Sequence, residues 1–290
     1  MRDAIGLDLS RSRVIVVHGR ISSVGAMRLI TWNVNSVRAR LPRVIELLVA
    51  HAPDVVCIQE TKVASEAFPR HELQALGYHV VEHSEGRWNG VALLVAEHRA
   101  VTDVTCGLPG EPHPDEARWV EATVDGVRIV SVYVPNGREP SHPMFAAKLT
   151  FLAAASERAM ELLQAGPLVI AGDFNVAPTD VDVWDPAAFE GATHVTEPER
   201  QAIERMIALG LADVYRTVDA DEPAFTWWDY RMGAFRRGMG MRIDLVLASP
   251  ALEVQSATVD TAFRRNNDAG DKPSDHAPVI VDFDHPAGAQ

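Results

Sequence analysis

Positive charge is in short supply in this sequence. Over 290 residues, 27 lysines and arginines face 40 aspartates and glutamates, for a formal net charge of −13. That argues against a broadly basic polyanion-binding surface, since binding nucleic acid draws on Lys and Arg to release counterions from phosphates. Cysteine is scarce as well. Cys57 and Cys106 are too few for a disulfide scaffold, and neither has a CxxC or Cys/His neighbour that would suggest zinc. Cys57 sits in the apolar run Val55-Val56-Cys57-Ile58 and is expected to be a buried thiol. No stretch approaches the roughly 18 apolar residues that a membrane-spanning helix needs. Near the N-terminus the apolar run Val14-Ile15-Val16-Val17 falls short of the roughly 7–15 residues of a secretory h-region, so a cytoplasmic location is expected. Repeats, low-complexity tracts and Ser/Gly linkers are absent, which favours one domain over two.

What is present is a chain of 47% hydrophobic content, long enough to bury a sizeable core. The periodic pattern runs over residues 27–284, read as a single domain, with 285–290 as a tail. Residues 1–26 carry four arginines and match nothing that follows. They read as a loose extension, or as sequence ahead of a native start at Met27.

Residues 29–34 and 54–61 read as buried strands, separated by a helix over 42–50 with Val44, Leu47 and Leu48 on one face. Residues 119–134 read as two antiparallel strands joined at Asp125-Gly126, a dipeptide suited to a type I′ turn. A helix over 144–163 stops at Gly166-Pro167, and a strand over 168–172 follows. Thr196-Glu197-Pro198-Glu199 has the form of a capping box opening a helix to Leu209. The last strands are expected over 243–248, 256–261 and 278–283. Hairpins mixed with long helices predict an α/β four-layer sandwich, with two packed, mixed and largely antiparallel sheets flanked by helices.

The apolar strands repeatedly end in polar residues: Asn33 and Asn35, Gln59-Glu60, Tyr133 and Asn136, Asp173 and Asn175, Asp244, and Asp275-His276. A rigid strand that stops in a carboxylate or amide can hold that group in place while loops shape a pocket around it. The set is hard oxygen donors with one histidine, which suits Mg²⁺ or Mn²⁺ better than zinc. Taken singly, the segments remain ambiguous. Asp173-Phe174-Asn175 before Pro178 reads equally well as a turn, and Ser274-Asp275-His276 as a structural loop. Local basic stretches offset the overall charge: Arg231, Arg236, Arg237 and Arg242 outnumber Asp229 and Asp244, and Arg38, Arg40 and Arg43 form a second group that reads equally as a solvated helix face.

The order of these blocks resembles the exonuclease–endonuclease–phosphatase superfamily and, within it, the exodeoxyribonuclease III type. The matching segments are residues 32–40, Gln59-Glu60-Thr61-Lys62, Trp88-Asn89-Gly90-Val91-Ala92, Tyr133-Val134-Pro135-Asn136-Gly137, residues 172–178, Thr226-Trp227-Trp228-Asp229-Tyr230-Arg231, Met241-Arg242-Ile243-Asp244 and Ser274-Asp275-His276-Ala277-Pro278. The resemblance implies a Mg²⁺-dependent DNA-repair phosphodiesterase, with Mn²⁺ a substitute. It would cut double-stranded DNA on the 5′ side of abasic sites and remove 3′ blocking groups or 3′ nucleotides, acting as a monomer.

The resemblance also implies roles. Glu60 would be the principal metal ligand with Asn35 beside it, and Asp275 a second metal position. Asn35 stands where some relatives carry Asp, which lowers the charge expected there. Asp173 would orient or deprotonate the attacking water, Asn33 would position Asp173, and Asn175 would hold phosphate or water. His276, aligned by Asp244, would contact the scissile phosphate, and Tyr133 and Asn136 would donate hydrogen bonds to it. Trp227, Met241 and Ile243 would line an apolar pocket too small for an intact nucleotide, although Ile243 reads equally as core, and Arg138 and Arg231 would grip the flanking backbone. A same-fold enzyme acting on inositol phosphates, a lipid headgroup or RNA is the nearest rival, and a non-catalytic DNA-binding protein the second.

Overall fold

The computed structural model describes residues 26–284, so the expected extension (apart from Ala26) and the tail over 285–290 lie outside the described residues. The first strand opens at Ala26, one residue before Met27.

In chain order the strands are β1 (Ala26–Asn33), β2 (Val55–Gln59), β3 (Tyr78–His83), β4 (Val91–Ala96), β5 (Val101–Cys106), β6 (Trp119–Val124), β7 (Val127–Tyr133), β8 (Leu168–Asp173), β9 (Ala212–Asp213), β10 (Asp244–Ala248), β11 (Glu253–Val259) and β12 (Val279–Asp284). The α-helices are α1 (Leu41–His51), α2 (Arg70–Gln74), α3 (Pro143–Ala165), α4 (Glu197–Ala208) and α5 (Val214–Val218). No helix among the described residues is long and apolar enough to cross a membrane.

The strands form two six-stranded sheets, ordered β11-β12-β1-β2-β4-β3 and β5-β6-β7-β8-β10-β9. Only β1/β2 and β7/β8 pair in parallel, each joined by a helical crossover through α1 or α3. Every other pair is antiparallel. Alternate residues on these strands serve two cores. Leu29, Cys57, Leu93, Ile129, Val169 and Val246 meet between the sheets. Ile30, Trp32, Val56 and Ile58 face outward onto Val44, Leu47 and Leu48 of α1. Val130, Val132, Ile170 and Leu245 pack on Phe151 and Leu152 of α3 and on Ile203 and Met206 of α4. Burial on both faces explains why these strands read as continuous apolar runs rather than alternating ones. The result is the four-layer sandwich expected from the pattern.

Local chemistry sets the joints. Asp125 and Gly126 have φ of 47° and 83°, as a type I′ turn requires of both central residues. Gly172 is obligatory, since a Cβ there would lie 1.9 Å from the Val132 carbonyl oxygen of the parallel neighbour. Strand β5, absent from the sequence reading, is an exposed edge, and its Thr-Asp-Val-Thr composition gives no clear apolar period.

Two cationic groups do not face solvent as expected. Arg43 is buried, packs over the Phe263 ring at 4.7 Å and pairs with Glu46. Arg242 is buried between Asp182 (2.6 Å) and Asp213 (2.7 Å). A guanidinium out of water needs such carboxylates, so neither arginine is available to a polyanion.

Candidate active site

The two parallel pairs point four strand C-termini the same way, the place where sheets of this kind build sites. Asn33 ends β1, Glu60 follows β2, and Tyr133 and Asp173 end β7 and β8, while Asp244 opens β10 directly opposite Asp173. Packing the sheets face to face brings these ends together. Oxygen atoms of Glu60 and Asp173 and a ring nitrogen of His276 all lie within 4.8 Å of one another.

Asn33 joins the two sheets: its buried Nδ2 donates to Glu60 Oε1 (2.8 Å) and to Asp173 Oδ2 (2.9 Å). Its Oδ1 accepts from the Asn35 backbone N–H at 3.0 Å. The loop bearing His276 is tied to β1 as well, because Trp32 Nε1 donates to the His276 carbonyl (3.0 Å) and Ser274 Oγ to the Asn33 carbonyl (2.7 Å). Thr226 Oγ1 accepts from the Ile243 and Asp244 backbone amides, each at 3.1 Å, and fixes the start of β10.

His276 Nδ1 lies 2.8 Å from Asp244 Oδ2, and its Nε2 lies 3.8 Å from Asp173 Oδ2. Burial disfavours the imidazolium, but Asp244 first, then Asp173 and Asp275, more than reverse this and raise His276 to about 10. Burial also raises Asp173, to about 7, with Asp244 and Glu60 pushing the same way against His276 and Asn33. The Tyr133 hydroxyl is held well above its ordinary range by burial and by Glu60 and Asp173, so it remains a donor. Asp275 accepts from Asn35 Nδ2 (3.0 Å) and Trp227 Nε1 (3.2 Å). Despite burial, His276 and these two donors hold it below its ordinary range.

The donor chemistry fits a hard divalent cation. The converging Glu60 and Asp173 carboxylates offer the oxygen donors such an ion takes, whereas the His276 ring, protonated at both nitrogens, offers it none.

The remaining expected residues surround this centre unevenly. Asn136 is exposed, with Nδ2 3.2 Å from Asn175 Oδ1. Trp227, Met241, Arg138 and Arg231 line an adjoining cavity of about 1020 Å³. Trp184, Phe189 and Met232 line the same cavity. Ile243 packs beneath the cavity with Ala177, Val183 and Met241 rather than lining it.

Three residues that sequence reasoning passed over also stand here. Lys62 Nζ bridges Glu60 Oε2 (2.5 Å) and Asn35 Oδ1 (2.7 Å), so the amide at Asn35 accepts from an ammonium. The Glu-x-Lys spacing was visible in Gln59-Glu60-Thr61-Lys62, but not the left-handed backbone at Glu60 (φ 54°) and Lys62 (φ 49°). His194 Nδ1 lies 2.5 Å from the Asn175 carbonyl, with Nε2 3.4 Å from Asn136 Nδ2. Lys148 reaches the same carbonyl from α3.

Comparison with known proteins agrees with this geometry. Residues 30–276 match the Endonuclease/Exonuclease/phosphatase family. Exodeoxyribonuclease III of Haemophilus influenzae is 32% identical over 273 residues, which cover 89% of this chain and all of that protein. The 3′ phosphatase NExo from Neisseria, solved with a product DNA hairpin, superposes with a TM-score of 0.84 at 39% identity, covering 89% of this chain and 99% of that one. An AP endonuclease from Archaeoglobus fulgidus gives 0.83 at 35% identity, covering 89% and 99%. With a match over most of its length and strand-end residues gathered in one cleft, the chain belongs to the endonuclease/exonuclease/phosphatase family.

Proposed function

We propose that the chain is a Mg²⁺-dependent DNA-repair phosphodiesterase that hydrolyses double-stranded DNA on the 5′ side of abasic sites and clears 3′ blocking groups or nucleotides. It would act as a cytoplasmic monomer through the single domain over residues 27–284. The convergence of Glu60, Asp173 and His276 carries this reading, supported by relatives named for exodeoxyribonuclease, 3′ phosphatase and AP endonuclease activities.

Glu60 would hold the metal, with Asn35 beside it and Asp275 as a second position; Mn²⁺ would serve in place of Mg²⁺. Bound there, a divalent cation supplies Lewis-acid stabilisation of the negative charge that develops on the phosphoryl oxygens. The protein's own groups do the rest. Asp173, held by Asn33 and facing the imidazole, takes a proton from the attacking water. His276, kept cationic by Asp244, binds a non-bridging phosphate oxygen. The Tyr133 hydroxyl and the Asn175 amide donate to the same phosphate, joined by Asn136 once its Nδ2 gives up the long 3.4 Å contact with His194 Nε2. Arg138 and Arg231 hold the strand on either side, and Trp227 and Met241 offer an apolar wall to a sugar turned out of the helix.

NExo from Neisseria, 39% identical, is a 3′ phosphatase and 3′–5′ exonuclease, which favours 3′-end processing as the larger share of activity. The deciding assay offers Mg²⁺-loaded protein three duplexes: one with an abasic analogue, one with a 3′-phosphate and one undamaged. Hydrolysis of either damaged duplex, lost with EDTA or Glu60→Ala, is the expected result. Turnover of an inositol phosphate with all three duplexes intact would overturn the reading.

A further inference from the structure

Lys148, on α3, and Glu199, in the first turn of α4, are both fully buried, with the ammonium against Glu199 Oε1. A buried ion pair of this kind adds little stability over apolar residues of the same volume, so its presence calls for another account. The partners of the ammonium supply one. Beyond Glu199, Lys148 Nζ donates to the carbonyls of Asn175 (2.6 Å) and Asn136 (3.3 Å). These carbonyls lie on two separate loops, one leaving β8 and one leaving β7.

Both loops bend through left-handed backbone beside the lysine, Asn175 with φ of 51° and Gly137 with φ of 86°. A Cβ on Gly137 would come within 2.9 Å of Lys148 Cδ and 3.2 Å of Thr193 Oγ1, so the β7 loop lies directly on the lysine stem. Glu199 extends the tie to a third loop, accepting from Thr193 Oγ1 and the His194 backbone N–H at 3.0 Å each, while its Oε2 takes the Thr196 N–H (3.1 Å) that caps α4. On that third loop, His194 donates through Nδ1 to the Asn175 carbonyl (2.5 Å), which leaves Nε2 to accept from Asn136 Nδ2 (3.4 Å). The Asn136 amide is thus oriented from two sides, by His194 and by Asn175 Oδ1 at 3.2 Å.

We propose that Lys148 is a positioning residue: its buried ammonium, balanced by Glu199, locks the β7 and β8 loops so that Asn136 holds the Asn175 amide, whose Nδ2 keeps one hydrogen beyond the Val134 carbonyl for the phosphate, a role that rests on the function proposed above. A lysine provides three donors from one centre, enough for Glu199 and for one carbonyl on each loop. An apolar pair would fill the volume but would leave the Asn175 carbonyl to His194 and the Asn136 carbonyl to Thr193 alone, with no donor spanning the two. Displacement of loops left unspanned is costly to a reaction that depends on alignment.

The test is Lys148→Met combined with Glu199→Gln in the full chain. This pair conserves volume and leaves no stranded buried charge, and glutamine keeps the capping box. Lys148→Met alone would strand a carboxylate and endanger the fold. The first measurement needs no substrate: NMR of the Asn136 and Asn175 side-chain amides in the metal-free protein. Their proton exchange is expected to quicken about tenfold or more, as for groups released from fixed partners, with the backbone amides of β7 and β8 unchanged. The second is turnover of the 3′-phosphate duplex with Mg²⁺, where kcat is expected to fall about 10- to 100-fold while KM stays within about twofold. Wild-type amide exchange in the double variant overturns the proposal, as does faster exchange with wild-type kcat. If the wild-type protein leaves DNA uncut, the functional reading falls, and amide exchange alone decides whether Lys148 holds the two asparagines.

Discussion

His276 Nδ1 lies 2.8 Å from Asp244 Oδ2 with both side chains buried, so the carboxylate fixes the ring orientation and holds the second proton on the imidazole. Because His276 is raised to about 10, its stabilising contribution is fully present below the unfolded value near 6.5 and is lost as pH rises through about 10. Titration of the metal-free protein followed by ¹⁵N NMR of the imidazole is therefore expected to show both ring nitrogens protonated at pH 8. Asp244→Asn should bring the titration down by several units and lower kcat by about 10²- to 10⁴-fold. A neutral ring at pH 8 in the wild type would contradict the arrangement.

Asp173 shows the same sign of linkage in a lower pH window, since both groups hold a proton more tightly in the folded state. Its folded value is raised by burial to about 7, so holding it ionised costs stability that grows as pH climbs from the unfolded range near 4 to about 7 and then levels off. Asp173→Asn is expected to abolish turnover yet raise the metal-free melting temperature at pH 8 by several degrees, about 4–8 °C per kcal/mol in small domains and less at this size. Below about pH 4 the two proteins should melt together, since Asp173 is then protonated in both states. Calorimetry at the two pH values checks this. A lower melting temperature at pH 8 would show that Asp173 is held by compensating contacts instead.

Arg242 and Arg231 stood in one basic stretch of sequence but differ in consequence. Arg242→Gln strands Asp213 in the interior, leaves Asp182 to Arg216 and Thr179, and is expected to cost about 3–5 kcal/mol in denaturant unfolding, with the salt dependence of DNA binding unchanged. Arg231, whose side chain is 85% exposed, should behave in reverse. Arg231→Ala leaves stability intact and reduces the slope of log affinity against log salt by about one. An unfolded Arg231→Ala protein, or an Arg242→Gln protein of full stability, would reverse these assignments.

Much of the site was legible because it is built at strand ends, where a short apolar run followed by Asn33, Glu60, Asp173 or Asp244 is a local signal. Their order along the chain then carried the family resemblance. Strands β3 and β5 were missed because an edge strand has one solvated face and a polar composition, and the buried β4 and the two-residue β9 were not read either. Lys148, Glu199 and His194 were missed for another reason. Lys148 read as one residue of a helix and Glu199 as a capping residue, and nothing local reveals that the two meet across the interface of α3 and α4.

The sequence by itself determined the central strands and main helices, the two-sheet architecture and the kinds of donor available, because periodicity, turn chemistry and strand-end residues are short-range properties. Tertiary structure alone decided which arginines reach solvent, that the amide of Asn35 accepts from Lys62, and that Asp173 is pushed toward neutrality. Those outcomes depend on desolvation and on charges brought together across the two sheets, and a charge acts through space without regard to its distance along the chain.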